Sequence, residues 1–427
     1  MSELTLHTSS LFDPKQKKFL PDVSISVDQT SGNIVKVWTR KAEREIKEND
    51  IDLRGKTVIP GMVDAHTHIF LHAYQERPSL NQKRDESAAE RIIRSVNHCR
   101  KALLAGFTTY RDLGSESMGD SDANVRDAIA RGLMPGPRLF VATKVIASTG
   151  SYEPRTENGG DGHVCLPAGA DAVDGVEEIR RAVRRRIAAG ADVIKFFADY
   201  RRRIMRYPPA QQHPYIHSVK FPPANPNPDV LLFNQEEMDT IVQEARLAEC
   251  PVAAHCGTIN GTLCAIKAGV HTIEHAYFAN EEVFDQMIKN NVVFVPTLSV
   301  CEELHPKRLE EIKAKVACAH KKGVRLACGG DTGPVPHGSN ARELELMMEA
   351  GVPVEDVIEA ATVGGWDACG GDLCGLRFGW FDAGTRADIV ALDTDPRDDR
   401  QAFRKVNFVM KDAAVYKKDG KMVMLDE

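Results

Sequence analysis

Apolar and polar residues alternate in short stretches over the first fifty positions. Val23-Ser-Ile-Ser-Val27 and Ile34-Val-Lys-Val-Trp38 have the period of two of half-buried strands, and Asp28-Gln-Thr-Ser-Gly-Asn33 between them is turn chemistry. The end of the chain repeats the pattern in Ala387-Asp-Ile-Val-Ala-Leu392 and Val406-Asn-Phe-Val-Met410, followed by a hairpin signal at Lys418-Asp-Gly-Lys421. The two ends together predict one small β domain.

Between them the pattern changes to continuous apolar runs separated by helical periodicity. From Glu86 to Ala105 one face carries Ile92, Val96, Cys99 and Leu103; Ser87 with Glu90 forms a capping box and Gly106 a stop. Val176, Ile179, Val183 and Ile187 repeat the arrangement before Gly190, and Asn234 with Glu237 caps a third helix. Eight strands are predicted: 57–65, 107–112, 138–146, 191–197, 251–255, 271–275, 292–298 and 324–328. Eight such strands separated by helices, with no glycine-rich phosphate loop after the first, predict an α/β fold of the (β/α)8 TIM-barrel type rather than an open doubly wound sheet. Residues 201–230 interrupt the rhythm with seven of the 22 prolines. This Pro-rich loop insertion after strand four is expected on the barrel's C-terminal face as a loop or lid, the alternative being a disordered surface insertion.

Composition narrows the function classes. Of 427 residues, 42% are hydrophobic, enough for a large core, and 55 basic against 61 acidic residues give a net charge of −6 without a basic tract. No nucleic-acid partner is therefore expected. The N-terminus lacks a signal-peptide pattern and no run of 18 uncharged apolar residues occurs, so no membrane association is expected. Ten cysteines without a CxxC pair read as reduced thiols of a cytoplasmic protein, not as a disulfide framework or a thiolate zinc site.

The strongest local chemistry is Asp64-Ala-His66-Thr-His68 at the end of the first core strand. Two histidines at i and i+2 near a strand end can converge on one divalent ion, although an isolated pair of this kind is also compatible with solvated imidazoles. His255, His275 and Asp331 end strands five, six and eight in the same way, and in a parallel barrel those ends meet at one rim. Lys195, inside Val193-Ile-Lys-Phe-Phe197, would bury an ammonium at a cost of several kcal/mol unless paired or neutralised. It either becomes a carbamate able to bridge two metals, or reaches solvent or pairs with Asp192 or Asp199. Asp64, Asp112 and Glu274 are candidates for orienting a ligand imidazole. Cys256 is expected to pack away from the site, because neighbouring strand residues point oppositely.

Taken in order, Val58-Ile-Pro-Gly-Met-Val-Asp-Ala-His66-Thr-His68, Thr108-Thr-Tyr-Arg-Asp112, Ile194-Lys195, Ala254-His255, Ile273-Glu-His275, Gly330-Asp331-Thr and Ala387-Asp-Ile-Val resemble the amidohydrolase superfamily over nearly the whole chain. The likeness is greatest to its imidazolonepropionase-like and prolidase-like branch, with carboxypeptidase-type and ochratoxinase-like members. The resemblance implies two divalent metal ions, with zinc expected. His66, His68 and Asp331 would hold one, His255 and His275 the other, and a carboxylated Lys195 would bridge them with a hydroxide. It also implies that residues 1–60 and 378–427 join as a β-sandwich beside a barrel of residues 61–377. Asp331 would act as general base and then acid while metal-activated hydroxide attacks an amide-type C–N bond in a peptide-like, cyclic or aromatic small-molecule substrate. A lactone or ester hydrolase and a metal-dependent decarboxylase use the same site, and a non-enzymatic scaffold is the reading from a different class.

Dipeptidase-like members carry Thr-Gly-Gly-His after strand three and His-Ala-Tyr-Gly after strand five, where this chain has Thr149-Gly-Ser-Tyr152 and His255-Cys-Gly-Thr258. The expected substrate contacts are instead Tyr152, Arg155 and Tyr207, with His337 from the loop after the last strand, which suggests a more aromatic pocket. A helix-coated barrel of this size often self-associates, which leaves a homo-oligomer open.

Overall fold

In a computed structural model of the chain, the structure describes residues 3–40, 47, 49–149, 151–152, 168–201, 211–212, 215–216, 220–221 and 229–423. The barrel's strands are β1 (Met62–Thr67), β2 (Phe107–Asp112), β3 (Arg138–Val141), β4 (Ile194–Phe197), β5 (Val252–Cys256), β6 (Thr272–His275) and β7 (Val293–Val295). They pair in parallel as β1-β2-β3 and as β4-β5-β6-β7. The predicted strand 138–146 breaks at Thr143, whose left-handed φ of 59° ends β3; a short strand, Val145–Ala147, resumes and pairs Ile146 with Phe196 of β4.

The eighth predicted strand, 324–328, has no ladder of its own. It is held by single backbone bonds: the Phe294 amide donates to Arg325, the Ala327 amide to Phe294 and the Ala65 amide to Cys328, which carries the pairing from β7 back to β1. The predicted strand 57–65 is likewise two elements. Ile51–Pro60 belongs to another sheet, and the chain changes direction at Gly61, where any Cβ would meet the Thr108 hydroxyl at 2.1 Å.

The helices Ala88–Leu104, Ser121–Ala130, Gly175–Ala188, Gln235–Leu247, Ile259–Ala268, Glu281–Lys289 and Leu309–Lys322 separate successive strands. Their ends follow the local chemistry. Ser87 accepts the Glu90 amide, the Asn234–Glu237 capping box is complete, and Gly106, Gly190, Gly269 and Gly323 adopt φ of 88–95° where each helix turns into the next strand. One large apolar core lies between helices and barrel and includes Phe107, Ile194, Phe196, Ile241 and Ile273.

Strands from both ends of the chain build one nine-stranded sheet in which Ile51–Pro60 pairs in parallel with Glu3–Asp13 and antiparallel with Ile389–Leu392. It closes on its own core of Leu6, Ile25, Val27, Leu53, Ile389 and Phe408. The predicted hairpin forms, with Asp419 and Gly420 at φ 50° and 73° between Ala414–Lys418 and Lys421–Met422. Among the described residues every cysteine is a free thiol, and no helix is long and apolar enough to cross a membrane.

Candidate active site

The C-terminal ends of the barrel strands surround a cavity of about 300 Å³, lined among others by His66, His68, Lys195, His255, His275 and Asp331. His66 and His68 come from the end of β1, Lys195 from β4, His255 from β5 and His275 from β6. Ring centroids lie 5.4 Å apart for His66 and His68, 4.9 Å for His66 and His275, and 4.4 Å for His255 and His275. Oδ1 of Asp331 lies 3.2 Å from Nε2 of His68 and 3.6 Å from Nε2 of His66. All six residues foreseen as ligands thus meet in one place.

Acceptors behind the imidazoles fix which nitrogen faces the cavity. Nδ1 of His66 donates to Glu274 at 2.9 Å and Nδ1 of His68 to the Gly114 carbonyl at 3.1 Å, which directs Nε2 of each toward Asp331. Nδ1 of His275 meets the hydroxyls of Thr297 at 2.8 Å and Tyr277 at 3.1 Å. His275 and Asp331 have left-handed φ, 73° and 55°, a strain that non-glycine residues adopt where the surroundings impose it. Asp64 supplies part of that constraint: it accepts the amides of His66 and Gly330, the Thr332 hydroxyl and the Asn340 amide group, tying the Asp331 turn to β1. Asp112 takes the Ile69 amide at 2.7 Å.

A sequence model of the amidohydrolase family matches residues 57–423. The chain belongs to the amidohydrolase family. Ochratoxinase of Aspergillus niger is 30% identical over 407 residues, which cover 86% of this chain and 77% of that protein. Among solved structures, a Xaa-Pro dipeptidase with bound methionine in its active site superposes with a TM-score of 0.79 at 28% identity, covering 97% of this chain and all of that one. The crystal structure of the A. niger ochratoxinase gives 0.77 at 25% identity, covering 97% and 96%. This amidohydrolase is therefore a hydrolase on a TIM barrel with a β-sandwich built from both termini.

The donor set fits a divalent cation. The ligand atoms of His66, His68 and Asp331 all lie within 4.8 Å of one another. Oδ1 of Asp331 and Nζ of Lys195 are buried and have no hydrogen-bond partner among the described residues; the short approach of His68 to Asp331 is not aligned as a hydrogen bond. Burial, and then the nearby Lys195, lowers His255 well below the ordinary imidazole range, and burial with His255 does the same to His275; His66 falls to about 4. Neutral imidazole is the form that ligates metal; His68 departs from the other three, because against its burial Asp331 and Glu116 raise it to about 9. Burial alone would raise Asp331, but His66 and His68 hold it well below the usual carboxylate range.

Lys195 pairs with neither aspartate considered from its sequence. Asp192 takes Arg126 at 2.7 Å, and Asp199 takes the amides of Gly257 and Thr258. Burial lowers the Lys195 amine to about 8. Asp199 also clamps the His255-Cys-Gly-Thr258 turn, and Cys256 lies in the apolar core between barrel and helices, away from the cavity.

Tyr152 lines the cavity, its ring stacked on Phe197 at 4.3 Å. His337 does not line it. Nε2 of His337 bonds to the Leu71 carbonyl and its ring stacks on His98 at 4.2 Å, because the Gly333–Asn340 loop turns down against the helix Ala88–Leu104 instead of over the cavity. Arg155 and Tyr207 lie outside the described residues. At the foot of the Pro-rich insertion Asp199–Arg201 pairs with Asp229–Leu231, which brings Tyr200 and Arg201 to the cavity wall. Sequence reasoning also missed Tyr74, Glu116, Tyr277 and His305 in the lining. Each sits in a loop with no motif spacing; only the position of Tyr277 two residues after His275 was a signal.

Proposed function

We propose that this amidohydrolase cleaves the C–N bond of an amide in a small, peptide-like or aromatic molecule. The observation that carries the reading is the convergence of His66, His68, His255, His275 and Asp331 around the amine of Lys195. His66, His68 and Asp331 would hold one divalent ion, zinc being the expected metal, and His255 and His275 a second. Lys195 would bridge them once its neutral amine has added to carbon dioxide and lost a proton to become a carbamate. When bound, divalent ions supply Lewis acidity toward a carbonyl and make hydroxide available at neutral pH.

The chain's own residues do the rest. Asp331, an unprotonated acceptor at the centre of the ring of imidazoles, takes a proton from the attacking water and returns it to the departing nitrogen. Glu274 and the Gly114 carbonyl keep His66 and His68 in the tautomer that presents Nε2 to the cavity. Leu71, Leu113, Tyr152, Phe197, Tyr200 and Tyr277 exclude water and offer apolar faces to the substituents flanking the amide. The names of the similar proteins, a Xaa-Pro dipeptidase and an ochratoxinase, support a substrate of peptide-like or aromatic amide type.

The test is hydrolysis of a panel of N-acyl amino acids, dipeptides, anilides and lactones before and after dialysis against a chelator. Amide turnover lost with the metal and restored by zinc is the expected result. Full activity of a metal-free sample, or turnover confined to lactones, would overturn it.

A further inference from the structure

One buried carboxylate at the cavity is not a ligand in this reading. Glu116 lies in the loop after β2, 3% exposed, and its two oxygens face different neighbours. Oε1 is 3.5 Å from Nδ1 of His68, and Oε2 forms a close ion pair with Lys83, whose side chain is 1% exposed. The hydroxyl of Tyr152 donates across both oxygens, at 3.1 and 3.0 Å. Beyond Tyr152 the contact continues through Phe197, whose ring packs against His255 at 4.4 Å, tilted by 33°. Glu116 therefore touches the surroundings of ligands on two sides of the cavity.

The backbone at this point is held in place at a cost. Glu116 and Ser117 take left-handed φ of 49° and 73°, each costing about 1 kcal/mol or more for a non-glycine residue. The buried Arg91, reaching from the helix Ala88–Leu104, donates to the Glu116 carbonyl at 2.6 Å, and the Ser115 amide donates to Thr143 at 2.8 Å. A buried Lys–Glu pair adds little net stability over apolar packing, because desolvating both charges offsets their attraction. The arrangement makes more sense as a device for placing one carboxylate oxygen beside His68.

Resting on the proposed metal site, we propose that Glu116, charge-balanced by Lys83, is a positioning residue that sets a carboxylate charge beside Nδ1 of His68, supporting the orientation given by the Gly114 carbonyl, and fixes the Tyr152 ring as a wall of the substrate cavity. It touches neither the reacting bond nor the metal. Because its hydroxyl is engaged by Glu116, Tyr152 presents the substrate an aromatic face instead of a hydrogen-bond donor. The loop after β2 thus sets one ligand and one wall together.

The experiment is chelator competition for zinc on the full chain, together with the absorption spectrum of the cobalt-loaded protein, for wild type, Glu116→Gln and the double variant Lys83→Met/Glu116→Gln. The double variant removes both charges at once, so it avoids an unpaired buried lysine. Both variants should bind zinc 10- to 100-fold more weakly, the usual consequence of removing a group behind a metal-bound imidazole, and should shift the cobalt bands. Tyr152→Phe should leave zinc affinity unchanged and raise KM. Wild-type zinc affinity and an unaltered cobalt spectrum in the double variant would overturn the role of Glu116 alone. Failure of the wild type to bind zinc would instead overturn the metal site on which the proposal rests.

Discussion

Glu274 and His66 are joined by a 2.9 Å hydrogen bond in the floor of the cavity, and the other oxygen of that carboxylate takes Arg111 at 2.7 Å. Arg111 also donates to the Ala65 and Ala368 carbonyls, so a buried cation from β2, a carboxylate from β6 and an imidazole from β1 form one chain across the barrel. Glu274→Gln should keep the shape but leave Arg111 without its counter-charge. We expect a stability loss of roughly 3–5 kcal/mol and zinc binding 10- to 100-fold weaker. Urea unfolding and chelator competition measure the two, and wild-type values of both would refute the arrangement's importance.

Asp64 collects four donors from β1, the Asp331 turn and Asn340 in the barrel interior. Asp64→Ala would strand them without water. A loss of about 3 kcal/mol, with activity falling through displacement of Asp331, is expected; an activity loss without any change in unfolding midpoint would contradict this structural role.

For Lys195 the neutral amine is the form that reacts with carbon dioxide, and burial brings its pKa down to about 8. Reconstitution of metal-free protein with zinc should therefore need bicarbonate and accelerate as pH rises toward 8. Carbon-13 NMR with labelled bicarbonate should show one carbamate signal that Lys195→Met abolishes. Equal reconstitution rates in carbon-dioxide-free buffer would count against the carbamate.

His98 and His337 form a stacked buried pair whose imidazoles burial keeps neutral, His98 down to about 4 and His337 well below its ordinary value. A lowered folded-state pKa means that the contribution is present above about 6.5 and lost as pH falls toward 4. Wild-type stability should fall across that window, and His98→Gln should flatten the fall by up to about 3 kcal/mol. Parallel pH–stability curves for the two proteins would show that the pair does not govern acid sensitivity.

Much of this molecule is legible in the residue order. The strand and helix periods, the helix-ending glycines and the strand-end placement of His66, His68, His255, His275 and Asp331 fix an α/β barrel with a rim of ligand-type side chains, because period and capping are local properties. Tertiary structure alone decides what lies between those points. Glu274 and His275 are neighbours that an extended strand would point to opposite faces, yet both face His66, because the left-handed φ at His275 turns its side chain inward. Lys83 in the short helix Ser79–Asp85 after β1, Glu116 in the loop after β2 and Tyr152 beyond β3 meet only because the barrel brings the ends of those three strands together. The descent of His337 away from the cavity follows in the same way from how its loop packs on a helix more than two hundred residues earlier in the chain. Such contacts depend on distances between loops, which side-chain periodicity does not encode.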